Sequence, residues 1–461
     1  APGDADHSPQ QSPAGQTGHG PAAVTPTRGR GQARISPAGF AAAAAVVDVD
    51  SIYLSNGRTV DMPGNGPRHI GDLHKLAQWL NLGTQVTKTV RAEGQVWVTE
   101  ALARSLGIDV DAITAAQPFK RKEETKRITA DSPAVAEAIA DGYHLGGKPS
   151  NCLKAWTRVW KDGEKATQVV LIPAIADDSD LAILDDQPEP VQLARRLGLM
   201  ADALGSPLLV NPATTGLNLM TSMRSLQDRQ RMFTAYSPCP PATDNTLEPD
   251  CAWMRTPNDE EAGHEWVHFY DRNGSYLPVV SGLNLGVGQP THYPDGQPFS
   301  LTEKRPGYWR IDVPESGDWR MPHPLDPRGT QAGRQWWVTT PSLQLAFELG
   351  YELEVHEAWL WDDSARVLDP WYKRLRDARL TLMDTDDPQA AAVLQQLKSV
   401  YVSSLGKMSS PQWQGKDEYA PDRYHAVRAK AKANILRRVV QIGTDSGRWP
   451  VSVGRDTIAY T

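Results

Sequence analysis

The chain has 461 residues and a formal net charge of −7. That length suits two to four domains, and the acidic balance argues against a protein that coats nucleic acid indiscriminately, so any such contact must come from a local patch. No run approaches the roughly 18 apolar residues of a membrane span, and the apolar run at 40–47 lacks the basic flank and cleavage context of a secretory signal. Cys152, Cys239 and Cys251 are an odd, widely spread set, which fits a reducing cytoplasm better than a disulfide framework. The chain begins at Ala1 rather than Met, as expected of a fragment of a longer product.

Residues 1–37 mix Pro, Gly, Ser, Gln and His without periodicity and read as a disordered linker, with Arg28, Arg30 and Arg34 as part of a solvated tail. From 38 to 236 a mixed α/β domain is expected. Short strands are read at 46–50, 52–54 and 59–62, and helices at 72–82 and 99–106. Asp131-Ser132-Pro133 opens another helix, 155–160 and 167–172 form a hairpin through Asp162-Gly163, and an amphipathic helix at 192–204 stops at Gly205. Residues 237–262, rich in Pro, Asp, Asn and Glu, read as an internal linker. The region 263–461 then gives a strand at 265–271, a Gly/Pro-rich excursion and a strand at 308–313. A helix at 342–349, a strand at 352–360, helices at 371–383 and 389–403, a basic helix at 422–440 and a terminal β-hairpin follow. The fold class is α+β.

The chemistry concentrates in two places. The β-prone run from Val267 to Asp271 delivers a carboxylate to its end, and Tyr276 follows five residues later. Far downstream, Val451-Ser452-Val453 and Thr457-Ile458-Ala459-Tyr460 flank Gly454-Arg455-Asp456, a hairpin with a second carboxylate at its tip. Two aspartates on neighbouring strands are what a two-metal nucleotidyl-transfer site needs, its ions held about 3.5–4 Å apart. Taken singly, Asp271 reads as a turn cap, Asp456 as ordinary turn chemistry and Tyr276 as a packed aromatic. The D-x-N-x-x-Y frame followed by a hairpin Asp favours the site.

This order of a carboxylate strand, helical hairpin, long helix and carboxylate hairpin resembles the palm and fingers of family B DNA polymerases, the protein-primed branch especially. Their first motif is D-x-N-S-[LM]-Y-P; Asp271, Asn273 and Tyr276 match it. Of K-x3-N-S-x-Y-G, Lys398, Ser403 and Gly406 match, while Val402 and Leu405 depart. Of D-T-D-S, Asp456 keeps the second Asp and Gly454 replaces the first. The resemblance implies Asp271 and Asp456 as ligands of two Mg ions and Tyr276 beneath the nucleotide sugar. It also implies Lys398 on the triphosphate, with Arg379 as the helper. It implies a polymerase-like palm with a helical-hairpin fingers element, and an N-terminal domain readable as a degenerate exonuclease-like fold, for which Asp48-Val49-Asp50 gives only a faint signal.

Over most of the chain, further blocks resemble the telomere-associated Tap proteins of linear bacterial replicons: Tyr308-Trp309-Arg310-Ile311-Asp312, Gln335-Trp336-Trp337-Val338-Thr339-Thr340-Pro341, Leu368-Asp369-Pro370-Trp371-Tyr372-Lys373 and Gly447-Arg448-Trp449-Pro450-Val451. That resemblance implies a cytoplasmic, nucleoid-associated protein that binds telomeric or single-stranded DNA and a terminal protein. The family's helix-turn-helix domain is not seen before residue 40. An active template-directed polymerase is the alternative. Arg423, Arg428, Lys430, Lys432, Arg437 and Arg438 make a basic stripe expected to contact phosphates. His264-Glu265-Trp266-Val267-His268 satisfies H-E-x-x-H, but zinc-protease chemistry needs a helix and this segment reads as a strand. Cys239 and Cys251 lack the spacing of a zinc finger.

Overall fold

The computed structural model describes residues 41–461 except 87–90, 147–150, 210, 234–235, 272–275 and 316. The expected linker at 1–37, with Arg28, Arg30 and Arg34, lies outside the described residues, as do Asn273, Gly274 and Ser275 of the first motif. The N-terminal half is built on β1 (Ala44–Val47), β2 (Ser51–Leu54), β3 (Thr59–Asp61), helix α1 (Ile70–Trp79), β4 (Gln95–Val98), β5 (His144–Leu145), β6 (Trp156–Trp160) and β7 (Thr167–Leu171). These strands form one sheet in the order β3-β2-β1-β4-β7-β6-β5, with β4 parallel to both β1 and β7. Every residue of β1 and β4 is buried, because a parallel core strand is covered on both faces and reads as a continuous apolar run rather than an alternation.

Asp48, Val49 and Asp50 do not extend β1. They form the tight turn into β2, where the Asp48 N–H donates to Ser51 O at 2.9 Å and Asp48 Oδ1 accepts from Thr99 Oγ1 at 2.7 Å. Two helices follow, α2 (Pro190–Leu204) and α3 (Pro212–Ser222). The first begins with a Glu189/Gln192 capping box and ends at Gly205, whose φ of +64° suits a residue without Cβ.

The C-terminal half contains β8 (Ala252–Met254), β9 (His268–Asp271), the single turn α4 (Tyr276–Val279), β10 (Thr291–Tyr293), β11 (Gly307–Asp312), β12 (Gln335–Thr339), α5 (Thr340–Glu348) and β13 (Val355–Leu360). It closes with α6 (Asp369–Met383), α7 (Ala390–Met408), α8 (Pro421–Ser446), β14 (Ser452–Gly454) and β15 (Thr457–Tyr460). One sheet runs β8-β14-β15-β9, another β10-β13-β11-β12. Phe40–Thr461 is one unit, and its largest apolar cluster draws on both halves, from Ala42 and Val46 through Leu217 to Val400 and Val427.

The expected linker at 237–262 is integrated structure. Ala252 and Trp253 pair with Gly454 and Val453, and Leu247, Glu248 and Cys251 are buried. Its few apolar residues, spaced among Pro and Asp, anchor the segment against the rest of the chain.

Helices α6 and α7 form the expected hairpin, and it is bolted to the N-terminal half. A Cβ on Gly216 of α3 would stand 2.5 Å from Ser404 Oγ of α7, so these helices touch almost backbone to backbone. Trp371 Nε1 donates to Gly216 O at 3.0 Å. The turn between α6 and α7 is held by α2: Arg195 Nε bonds Asp387 and Arg196 Nε bonds Gln389, both at 2.7 Å. Gln396, fully buried on α7, donates to Asp180 O and accepts from Ile183 N.

Candidate functional site

Strands β9 and β15 are hydrogen-bonded neighbours, and Asp271 is the cross-strand partner of Thr457. Thr457 Oγ1 approaches Asp271 Oδ1 at 3.4 Å. Gly454 pairs with Thr457 across a two-residue turn of Arg455 and Asp456, tight enough to hold Arg455 at φ +54°. The Arg455 N–H donates to Cys251 O at 2.9 Å and fixes the turn against the start of β8. Cross-strand Cα partners lie about 5 Å apart and successive Cα atoms about 3.8 Å, so the Cα atoms of Asp271 and Asp456 are no more than about 9 Å apart. The two carboxylates, 185 positions apart in the chain, stand at one end of one sheet.

Tyr276 of α4 reaches the same end. Its phenol is half-buried, and its pKa is pushed up to about 12, first by burial and then by the negative charge of Asp250, with Asp456 adding to the effect and Arg428 opposing it. Arg428 pairs with Asp250 at 3.1 Å and lies over the Tyr424 ring, 5.4 Å from its centroid. Asp250 is a site residue that the sequence reading missed. Its only sequence signal is a place in a Pro/Asp-rich segment that looks like a loop.

Mg usually takes one or two carboxylates together with substrate phosphates, and Asp271 with Asp456 fits that donor set. A ready-made protein cage is a different matter: among the described residues no group of three His, Cys, Asp or Glu is placed to hold a metal. His264 precedes β9 in non-helical backbone, so the H-E-x-x-H spacing does not bring its two histidines onto one helix face. The three cysteines are buried and free, and burial pushes the thiols of Cys239 and Cys251 up to about 12 and 11.

Lys398 is exposed on α7 and opens onto a groove with Ser179, Ala182 and Asp185 of the N-terminal half; no residue lining that groove comes from the sheet carrying Asp271 and Asp456. Arg379 lies on α6 near the buried phenol of Tyr401 on α7, one turn beyond Lys398.

The basic stripe is a correction. At 100° per residue the six cations spread around α8, and most are consumed inside the fold. Arg423 is 3% exposed and donates to Met232 O and Gly286 O. Lys432 is 6% exposed and pairs with buried Glu248 at 2.7 Å. Arg428 pairs with Asp250, Arg437 with Glu348 at 2.7 Å, and Arg438 donates to Gln441. Lys430 is half-buried beside a cavity. Arg423 and Lys432 are therefore core residues, and the counter-charges of Arg428, Lys432 and Arg437 come from Asp250, Glu248 and Glu348 on other elements, which leaves Arg438 as the exposed cation of the stripe.

A family described as a domain of unknown function (DUF8841) matches residues 45–209. No curated protein matches the sequence. In structure the chain is similar to phi29 DNA polymerase. Against that enzyme complexed with single-stranded DNA, the TM-score is 0.45 at 11% identity, over 89% of this chain and 76% of the other. Against its ternary complex with primer-template DNA and incoming nucleotide substrates, the TM-score is 0.44 at 10% identity, over 89% and 77%.

Proposed function

We propose that the chain is a DNA-binding protein built on a polymerase-like palm, with the fold used to hold nucleic acid rather than to extend it. More narrowly, we read it as a Tap-like telomere-associated protein that acts with a terminal protein in end replication of linear replicons, inside the cytoplasm and at the nucleoid. The observation that carries the scaffold reading is the anchoring of the α6–α7 hairpin. A fingers element that delivers a triphosphate must present its lysine to the paired carboxylates, whereas Lys398 faces Asp185 across a groove of the N-terminal half. The Tap-like sequence blocks support the narrower reading.

The second reading is an active polymerase using two Mg ions, favoured by the Asp271–Thr457 register and by Tyr276 beside Asp456. In it Asp271 and Asp456 hold the metals, which supply charge stabilisation to the attacking and leaving oxygens, and Tyr276 supports the sugar. Fluorescence anisotropy with telomeric single strands, followed by co-sedimentation with the terminal protein, tests the scaffold. Binding to both partners supports it; absence of DNA binding sinks it.

A further inference from the structure

On the face of α8 turned away from Arg428, Asp422, Ala426 and Lys430 recur at four-residue spacing and line a cavity of about 230 Å³. Its other walls are the loop at 281–286, the start of β11 and the first turn of α5. Asp422 is 7% exposed, and among the described residues no group donates to its Oδ1. Native folds satisfy nearly all such atoms. Burial pushes this carboxyl up to about 6, so it is mostly ionised at neutral pH and in need of a donor.

The opposite demand stands beside it. Lys430 is half-buried, and its pKa is pulled down by burial first and then by Arg437 and by Lys304, which also lines the cavity, against the opposing charge of Glu348. Thr339, the capping residue of α5, makes no side-chain cap and gives its hydroxyl to Glu248 instead. Two ammonium groups and an uncapped helix start favour an anion. A ligand that satisfies both ends carries an N–H donor and an anionic group.

We propose that this cavity binds one nucleotide, an N–H of its base donating to Asp422 Oδ1 and its phosphate meeting Lys304, Lys430 and the first turn of α5. The volume lies below the roughly 300–1,000 Å³ of drug-sized pockets, which suits a single nucleotide and not two. The nucleotide is either free or the end of a single strand; the chemistry is shared.

The test is calorimetric titration of the full chain in EDTA with each deoxynucleoside monophosphate, inorganic phosphate and a short 5′-phosphorylated oligonucleotide. The parent should bind at least one monophosphate about tenfold more tightly than phosphate, the worth of one hydrogen bond to a charged group. Asp422→Leu should erase that preference while phosphate still binds, and Lys304→Gln, on an exposed position, should weaken both. Asp271→Asn should leave the monophosphate and phosphate titrations of this cavity in EDTA as they are in the parent, which separates the cavity from the palm-like site. Competition by the oligonucleotide assigns the ligand to a strand end; its failure to compete assigns a free nucleotide. No monophosphate binding by the parent, or an unchanged preference in a folded Asp422→Leu variant and unchanged binding in Lys304→Gln, overturns the proposal.

Discussion

Replacing Lys432 by Met tests how the segment before β8 and the start of α5 are joined to α8 through Glu248. Glu248 is 3% exposed and receives four hydrogen bonds, each 2.7 Å: Thr339 N and Oγ1 on one oxygen, Ser342 Oγ and Lys432 Nζ on the other. Burial raises this carboxyl's pKa, but Lys432 and the other donors outweigh it and hold the pKa below the usual value of 4.5. Lys432→Met keeps three donors and the stem's volume but removes the counter-charge. Breaking a buried pair from one side costs about 3–5 kcal/mol, so urea denaturation at neutral pH should show a loss of that size. Glu248→Gln combined with Lys432→Met should recover most of it, because no lone charge is left inside. The pH dependence has a definite sign. In the parent, the depressed folded pKa gives stability that is present above the unfolded value and lost as pH falls through the folded one. In Lys432→Met the folded pKa rises, so a penalty grows as pH climbs past the unfolded value. The difference between the two proteins should therefore shrink towards about pH 4. A loss below about 1 kcal/mol, or an equal loss at both pH values, would refute the reasoning.

His425 is buried with Nδ1 2.9 Å from Tyr308 Oη, and its pKa is lowered from 6.5 to about 4, chiefly by burial. Its folded form binds fewer protons than the unfolded chain, so its contribution is whole above 6.5 and falls by about 3 kcal/mol as pH drops through that window. Asp422, raised by burial, acts in the opposite sense, so the readout is the difference in pH-dependent melting between the parent and His425→Gln. Gly216→Val should separate α3 from α7, lose about 1–3 kcal/mol and speed hydrogen exchange in α7 around 400–404, where Gly216 meets it; unchanged exchange there would contradict the bolted hairpin. Arg196→Ala should cost about 1–3 kcal/mol by leaving the buried Ile183 carbonyl, now 2.8 Å from Nη1, without its donor, which chemical denaturation checks.

Strands and helices were legible where burial writes a clear period, as at Thr167–Leu171 and the two long helices before α8, whereas the strand expected at 46–50 lies earlier, at Ala44–Val47, because residues 48–50 turn the chain into β2. The carboxylate hairpin was legible because Gly454-Arg455-Asp456 leaves few alternatives to a tight turn between two β-prone runs. What failed was pairing over distance. Lys432 and Glu248 are 184 positions apart, and nothing local marks the lysine as buried. A helix that is basic by composition therefore looked solvated. The segment 237–262 was misread for a related reason: its Pro and Asp content signals a loop, yet Leu247, Glu248 and Cys251 are fixed by residues far along the chain. The anchoring of the α6–α7 hairpin was equally invisible, since it rests on Gly216, Ser404 and Arg196, residues ordinary in any helix.

The most direct measurement is primer extension on telomeric single-strand templates with Mg or Mn, comparing the parent with Asp271→Asn and Asp456→Asn. The scaffold account predicts no incorporation by any of the three, with template binding retained. Incorporation by the parent that disappears in both variants would contradict it and make the paired carboxylates a working catalytic centre.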